Sequence, residues 1–158
     1  MPARSLVVFY SRSGVTKLAA LAIADRLDCD VEPIQDVRSR KGLFGFLRSG
    51  YEAARRKLPA IKPTQKDPAR YDLVILGTPV WGNVMASPLR TYLSRNKDRI
   101  QQMAVFCTIG GSGGDRTLTD VAEFCGKTPA ASLVLNRKEV FSGQYTEKLD
   151  RFLAAFRL

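Results

Sequence analysis

Three short apolar runs, residues 6–10 (LVVFY), 73–77 (LVILG) and 103–109 (MAVFCTI), each break off into a turn rich in glycine or hydroxyl side chains. Runs of this length with no charge among them read as strands buried on both faces of a parallel sheet. Helical spacing follows each turn. KLAALAIADRLD comes after the first, LRTYLSRNKDRI after the second, and residues 115–124 after the third, opening with Asp115, which suits the positive end of a helix dipole.

Weaker signals fill the gaps. Residues 29–37 alternate and contain Pro33, as an edge strand can. In residues 43–57, Phe44, Leu47, Tyr51 and Ala54 recur three or four apart while Arg48, Arg55 and Arg56 fall away from them, predicting a basic amphipathic helix that Gly45 and Gly50 weaken. Residues 62–68 read as a polar loop, 131–135 as a last strand and 145–158 as a last helix. Pro88 is placed in the first turn of the helix after the second turn, where a missing N–H costs nothing. Five strands alternating with five helical segments predict a parallel sheet with helices on both faces, an α/β three-layer αβα sandwich. In the order 2-1-3-4-5 the first, third and fourth strands are central and flank the point where strand order reverses, the place such sheets bind ligands. Those are the three strands that end in small, polar loops.

The 158 residues make one domain by length, 1–158, with 45% hydrophobic and 25% charged residues, as in a globular protein. No apolar run approaches the roughly 20 residues of a membrane span, and MPARS leads into a five-residue strand with no signal-peptide core, so a cytoplasmic location is expected. Three cysteines without a C-x-x-C, in a chain with no histidine, fit neither a disulfide framework nor a zinc site. Lack of histidine also removes the commonest general base, and no residue stands out as catalytic. The net charge of +10 is concentrated. Residues 38–70 hold ten basic side chains against two acidic ones, which predicts a local basic face.

The first loop carries the chemistry. Ser11, Arg12, Ser13, Gly14, Val15 and Thr16 lie at a strand-to-helix junction, where unpaired first-turn amides and the helix dipole favour an anion. Its hydroxyls serve equally as phosphate donors or as plain helix caps. It is neither a G-x-G-x-x-G fingerprint nor a P-loop. The pattern S-x-S-G-x-T after a strand is, however, similar to the phosphate loop of flavodoxins. With LGTPVWGN and CTIGGSGGD after the other two strands, the resemblance to the flavodoxin-like family extends over the whole chain.

That resemblance implies noncovalent FMN, with its phosphate in the first loop and its ring between the other two. Thr78 and Pro79 would line the ribityl chain, with Val80 beside them, and Trp81, the only tryptophan, would stack on the ring. Gly82 would give the freedom for a peptide to turn its carbonyl toward the flavin N5, and Asn83 holds a position often acidic in the family. The third loop, Thr108, Ile109, Gly110, Gly111 and on to Gly114, lacks the tyrosine that many flavodoxins place over the outer ring face. Its glycines would instead let backbone amides approach the ring.

The family reading is an FMN electron carrier. Its basic balance implies a reduced cofactor less disfavoured than in acidic flavodoxins, and an acidic redox partner docking near residues 38–70. An NAD(P)H-dependent FMN or quinone reductase on the same fold is the alternative, favoured by an uncovered ring face. A third reading is a flavin-free binder of nucleic acid or an anionic surface, with Phe44, Phe46 and Tyr51 interleaved among the charges. It leaves the three loops unexplained, so nucleic acid is not expected.

Overall fold

The computed structural model describes residues 3–156. Strand β1 (Ser5–Phe9) pairs in parallel with β2 (Asp30–Pro33) and with β3 (Leu73–Trp81). Beyond β3 lie β5 (Gln102–Ile109) and β6 (Ser132–Asn136), also parallel, so the sheet runs β2-β1-β3-β5-β6. In sequence count of the parallel strands this is the expected 2-1-3-4-5 order. The two-residue β4 (Val84–Met85) folds back antiparallel on the end of β3.

Alternation along the central strands sorts the core into two layers. Leu6, Val8, Val74, Leu76, Met103 and Val105 point to one face and meet Leu89, Tyr92 and Leu93 of α3 (Ser87–Asn96) and Val121 and Cys125 of α4 (Gly114–Cys125). Val7, Phe9, Leu73, Ile75, Ala104 and Phe106 point to the other. There they meet Ala19, Ala20 and Ile23 of α1 (Val15–Leu27), with Val140 of α5 (Arg137–Ser142) and Phe152 of α6 (Thr146–Ala154). Cys107 is a core residue, fully buried, and burial pushes its thiol up to about 12, which rules it out as a nucleophile at neutral pH. Among the described residues no helix is long and apolar enough to cross a membrane.

Four elements differ from the sequence reading. The edge strand β2 stops at Pro33, because the chain then turns away: beyond Ile34, which donates to the Phe9 carbonyl, only an isolated bridge from Asp36 to Ile61 remains. Strand β3 runs on past Gly77 to Trp81, since Gly82 (φ 59°) and Asn83 (φ 69°) form a two-residue turn with both residues left-handed, the hairpin geometry that matches strand twist. Helix α5 was not anticipated, although Asn136 and Glu139 form a reciprocal capping box at its start. The last helix begins at Thr146 and ends at Ala154; residues 157–158 of the expected span lie outside the described residues.

The basic helix forms, as α2 (Gly42–Ala54), but its apolar stripe faces solvent. Gly45, Ser49 and Ala53 are the buried positions, while Phe44, Leu47, Tyr51 and Ala54 are exposed. Small residues on the inner side let the helix lie directly on the preceding loop. A Cβ at Gly45 would stand 2.0 Å from the Arg40 carbonyl oxygen, whereas one at Gly50 meets nothing within 4 Å. Gly45→Ala should therefore destabilise by about 1–3 kcal/mol through overpacking against backbone. Gly50→Ala should stabilise by about 0.5–1 kcal/mol through helix propensity. Urea midpoints moving in the same direction for both variants would contradict this packing.

Candidate functional site

The loops after β1, β3 and β5 converge at the carboxyl ends of the central strands, around a cavity of about 440 Å³. The first loop gives it Arg12, Ser13, Val15 and Thr16. The hairpin after β3 gives Pro79, Val80, Trp81 and Gly82, and the third loop gives Thr108, Ile109 and Gly110. These eleven are among the residues expected from sequence. Phe46, Ser49 and Gly50 of α2 and Arg137 at the start of α5 complete the wall and were not expected.

Local bonds explain why the remaining expected residues lie outside the cavity. Ser11 caps its own loop, its Oγ accepting from the amides of Gly14 (3.1 Å) and Lys17 (3.2 Å). Gly14 stands at the N-cap of α1 with φ 99°, a conformation costly for any residue with a Cβ. Thr78 is corrected from a ribityl contact to a structural one: fully buried, its hydroxyl accepts from the Ala86 amide (2.9 Å) and donates to the Pro79 carbonyl (2.7 Å). Asn83 is at the exposed tip of the hairpin, against Gly113, where a Cβ would meet its Oδ1 at 2.4 Å. Gly114 packs on Val134 and Gly111 is exposed. Thr16, though on the wall, spends its hydroxyl on Thr108 (2.8 Å), tying the first loop to β5.

The donors left for a ligand are consequently few. They include the Ser13 hydroxyl, the first-turn amides of Val15 and Thr16, which have no intrahelical acceptor, and the Arg137 guanidinium on the wall. Arg12 is exposed, yet its side chain is held against the protein. Its guanidinium donates to the carbonyls of Arg40 (3.0 and 3.2 Å) and Gly42 (3.3 Å) and lies 5.7 Å from the Phe46 ring centre, pinning α2 to the first loop. Among the described residues neither Arg12 nor Arg137 is in a salt bridge, and no acidic side chain lines the cavity. The cavity is cationic at its rim and apolar along Val15, Val80, Trp81, Phe46 and Ile109.

Two buried ion networks hold this arrangement. Tyr10 meets Trp81 edge-to-face at 5.5 Å, and its hydroxyl donates to Asp36 (2.5 Å). Burial, and after it the bond to Asp36, raises the Tyr10 hydroxyl well above its ordinary value. Asp36 in turn accepts from Arg40 (2.9 Å), which also donates to Ser49 and pairs with Glu52 (2.5 Å). Arg40, counted in the basic face by sequence, is thus 4% exposed, with its guanidinium 5.1 Å from the Trp81 ring centre. On the other side of the hairpin, buried Asp120 accepts from the Met85 amide (3.0 Å), Arg90 (2.5 Å) and Arg56 (2.7 Å).

A doubly wound parallel sheet with a ligand cavity at its switch point, walled by a strand-to-helix anion loop and a tryptophan hairpin, defines the class. The chain belongs to the flavodoxin family, whose model matches residues 4–150. A flavoprotein from Lactobacillus acidophilus in complex with FMN is similar in fold, with TM-score 0.73 at 22% identity over 89% of this chain and 97% of its own. A flavodoxin, WrbA-like protein from Agrobacterium tumefaciens reaches 0.55 at 14% identity, over 95% and 99%. The Trp repressor binding protein from Bacillus subtilis reaches 0.58 at 14% identity, over 98% and 99%. The comparison with curated proteins gave no match.

Proposed function

We propose that the cavity binds FMN noncovalently and that the protein is an electron carrier. The cavity itself supports this reading: its wall combines free first-turn amides, the Ser13 hydroxyl and the Arg12 and Arg137 guanidinium groups with the aromatic rings of Trp81 and Phe46. A flat aromatic group ending in a phosphate matches that donor set, and the family and the FMN complex of the Lactobacillus protein support the choice. Bound there, FMN supplies one- and two-electron chemistry. The chain's own residues bind and orient it. Ser13 and the amides of Val15 and Thr16 would hold the phosphate, and Trp81, backed by Tyr10 and Arg40, would hold the ring. Gly82, already left-handed, leaves the hairpin peptide free to turn toward the ring.

Trp81→Ala should weaken FMN binding about tenfold or more, from loss of stacking and buried area, and Trp81→Phe should recover most of it. Quenching of FMN fluorescence in a titration reads this directly. Unchanged affinity in Trp81→Ala would put the ring elsewhere. A net charge of +10 and a cavity wall without acids lead to a reduction potential less negative than in strongly acidic flavodoxins. A reductive titration that finds a potential as low as theirs would contradict this.

The reductase reading is favoured by a third loop without an aromatic, but α2 does bring one aromatic, Phe46, to the cavity wall. Steady turnover of NADPH with a quinone would decide for the reductase; its absence in protein that retains FMN would decide for the carrier.

A further inference from the structure

Helix α2 turns large apolar side chains into water. Leu43 is 69% exposed, Phe44 86%, and Leu47 and Tyr51 56% each. At about 100° per residue these four fall within an arc of about 100°, away from the buried Gly45, Ser49 and Ala53. By contrast Phe9, Phe106 and Phe152 are 3% exposed or less, and among the described residues no large apolar side chain outside the helix, with Val37 at 60% and Phe141 at 57% the most open, reaches the exposure of Leu43 or Phe44. A contiguous exposed apolar ridge marks an interaction site. The charges around it have one sign. Lys41 stands before the ridge, Arg55 and Lys57 after it, all exposed, and the helix's single acid, Glu52, is turned in on Arg40.

We propose that this ridge docks the protein on an anionic phospholipid surface, with Leu43, Phe44 and Leu47 entering the headgroup boundary and Lys41, Arg55 and Lys57 on lipid phosphates. Bulky apolar groups on one helix face with basic residues at its margins are the pattern that binds charged membrane surfaces in plane. Charge decides among the occupants. A second copy would set like charge against like at net +10 each. An acidic protein would satisfy the basic margins, but it would need a groove to take a protruding Phe44, whereas a bilayer boundary needs none. The inference does not rest on the FMN reading. Phe46 and Gly50 of the same helix line the cavity, so docking would place the cavity beside the lipid surface.

The test is flotation of the full chain, with and without FMN, on phosphatidylcholine vesicles and on vesicles that also contain phosphatidylglycerol. The protein should float only with the anionic vesicles. Phe44→Ser combined with Leu47→Ser should lower the bound fraction about tenfold or more, and Arg55→Glu with Lys57→Glu should lower it comparably. All four positions are exposed and outside the cavity wall, so the variants should keep their fold by circular dichroism and their FMN by absorbance. Failure of wild type to float, or flotation of the double serine variant as strongly as wild type, would overturn the proposal. So would binding to poly-L-glutamate that depends on Phe44 while vesicles are ignored, which would assign the ridge to an acidic polypeptide.

Discussion

Asp120→Ala should destabilise the protein by about 3–5 kcal/mol, the range for removing one partner of a buried ion pair. Asp120 is 7% exposed and Arg90 4%, and their contact is 2.5 Å. Without the carboxylate, Arg90 keeps a buried charge with no other salt-bridge partner among the described residues, and the Met85 amide loses its acceptor. Arg56, 60% exposed, adds little, because water can replace its partner. Folded domains retain only about 5–15 kcal/mol in total, so the loss should be plain in urea or thermal unfolding. Asp120→Asn keeps an acceptor for Met85 and should lose less. Because Met85 pairs with Val80 in the hairpin that carries Trp81 and Gly82, the alanine variant should also weaken FMN binding. A change in stability within about 0.5 kcal/mol, as for an ordinary surface position, would contradict the assignment.

Arg40→Ala is the second large effect, about 2–4 kcal/mol. The side chain of Arg40 is 2% exposed and holds Asp36 and Glu52, whose own side chains are 15% and 14% exposed. That partial access to water sets the estimate below a fully buried pair. Burial opposes the guanidinium charge, but hydrogen bonds to Asp36 and Glu52 more than offset it, and the net shift is upward. Arg40→Lys should recover only part of the loss, since one ammonium lacks the planar fork that reaches both carboxylates. With the guanidinium 5.1 Å from the Trp81 ring centre, the variant should also shift tryptophan emission. Unfolding and fluorescence unchanged from wild type would place Arg40 on the surface after all.

Arg40 also shows what the sequence could not convey. Counting charge along residues 38–70 made it part of a basic face, because the partners that bury it, Asp36 and Glu52, come together only when α2 folds over its own lead-in loop. The direction of α2 was left open by the sequence for a related reason. Periodicity finds an apolar stripe but does not say which side the protein covers, and here the small residues Gly45, Ser49 and Ala53 decided it. The three strand-to-loop junctions were legible because their signal is local: uncharged runs of β-formers, then glycine and hydroxyls. Thr78 fitted that signal, yet its hydroxyl closes the hairpin to Ala86, a partner set by the fold of the Gly82–Asn83 turn. Helix α5, which places Arg137 on the cavity wall, was signalled by Asn136 and Glu139 at capping-box spacing.

Whether the cavity beside Trp81 holds FMN is read from the visible absorption spectrum of the purified protein after incubation with excess FMN and gel filtration. Flavin absorption should co-elute with the protein at about one FMN per chain. Protein that elutes without flavin, at any FMN concentration that leaves it folded, would contradict it.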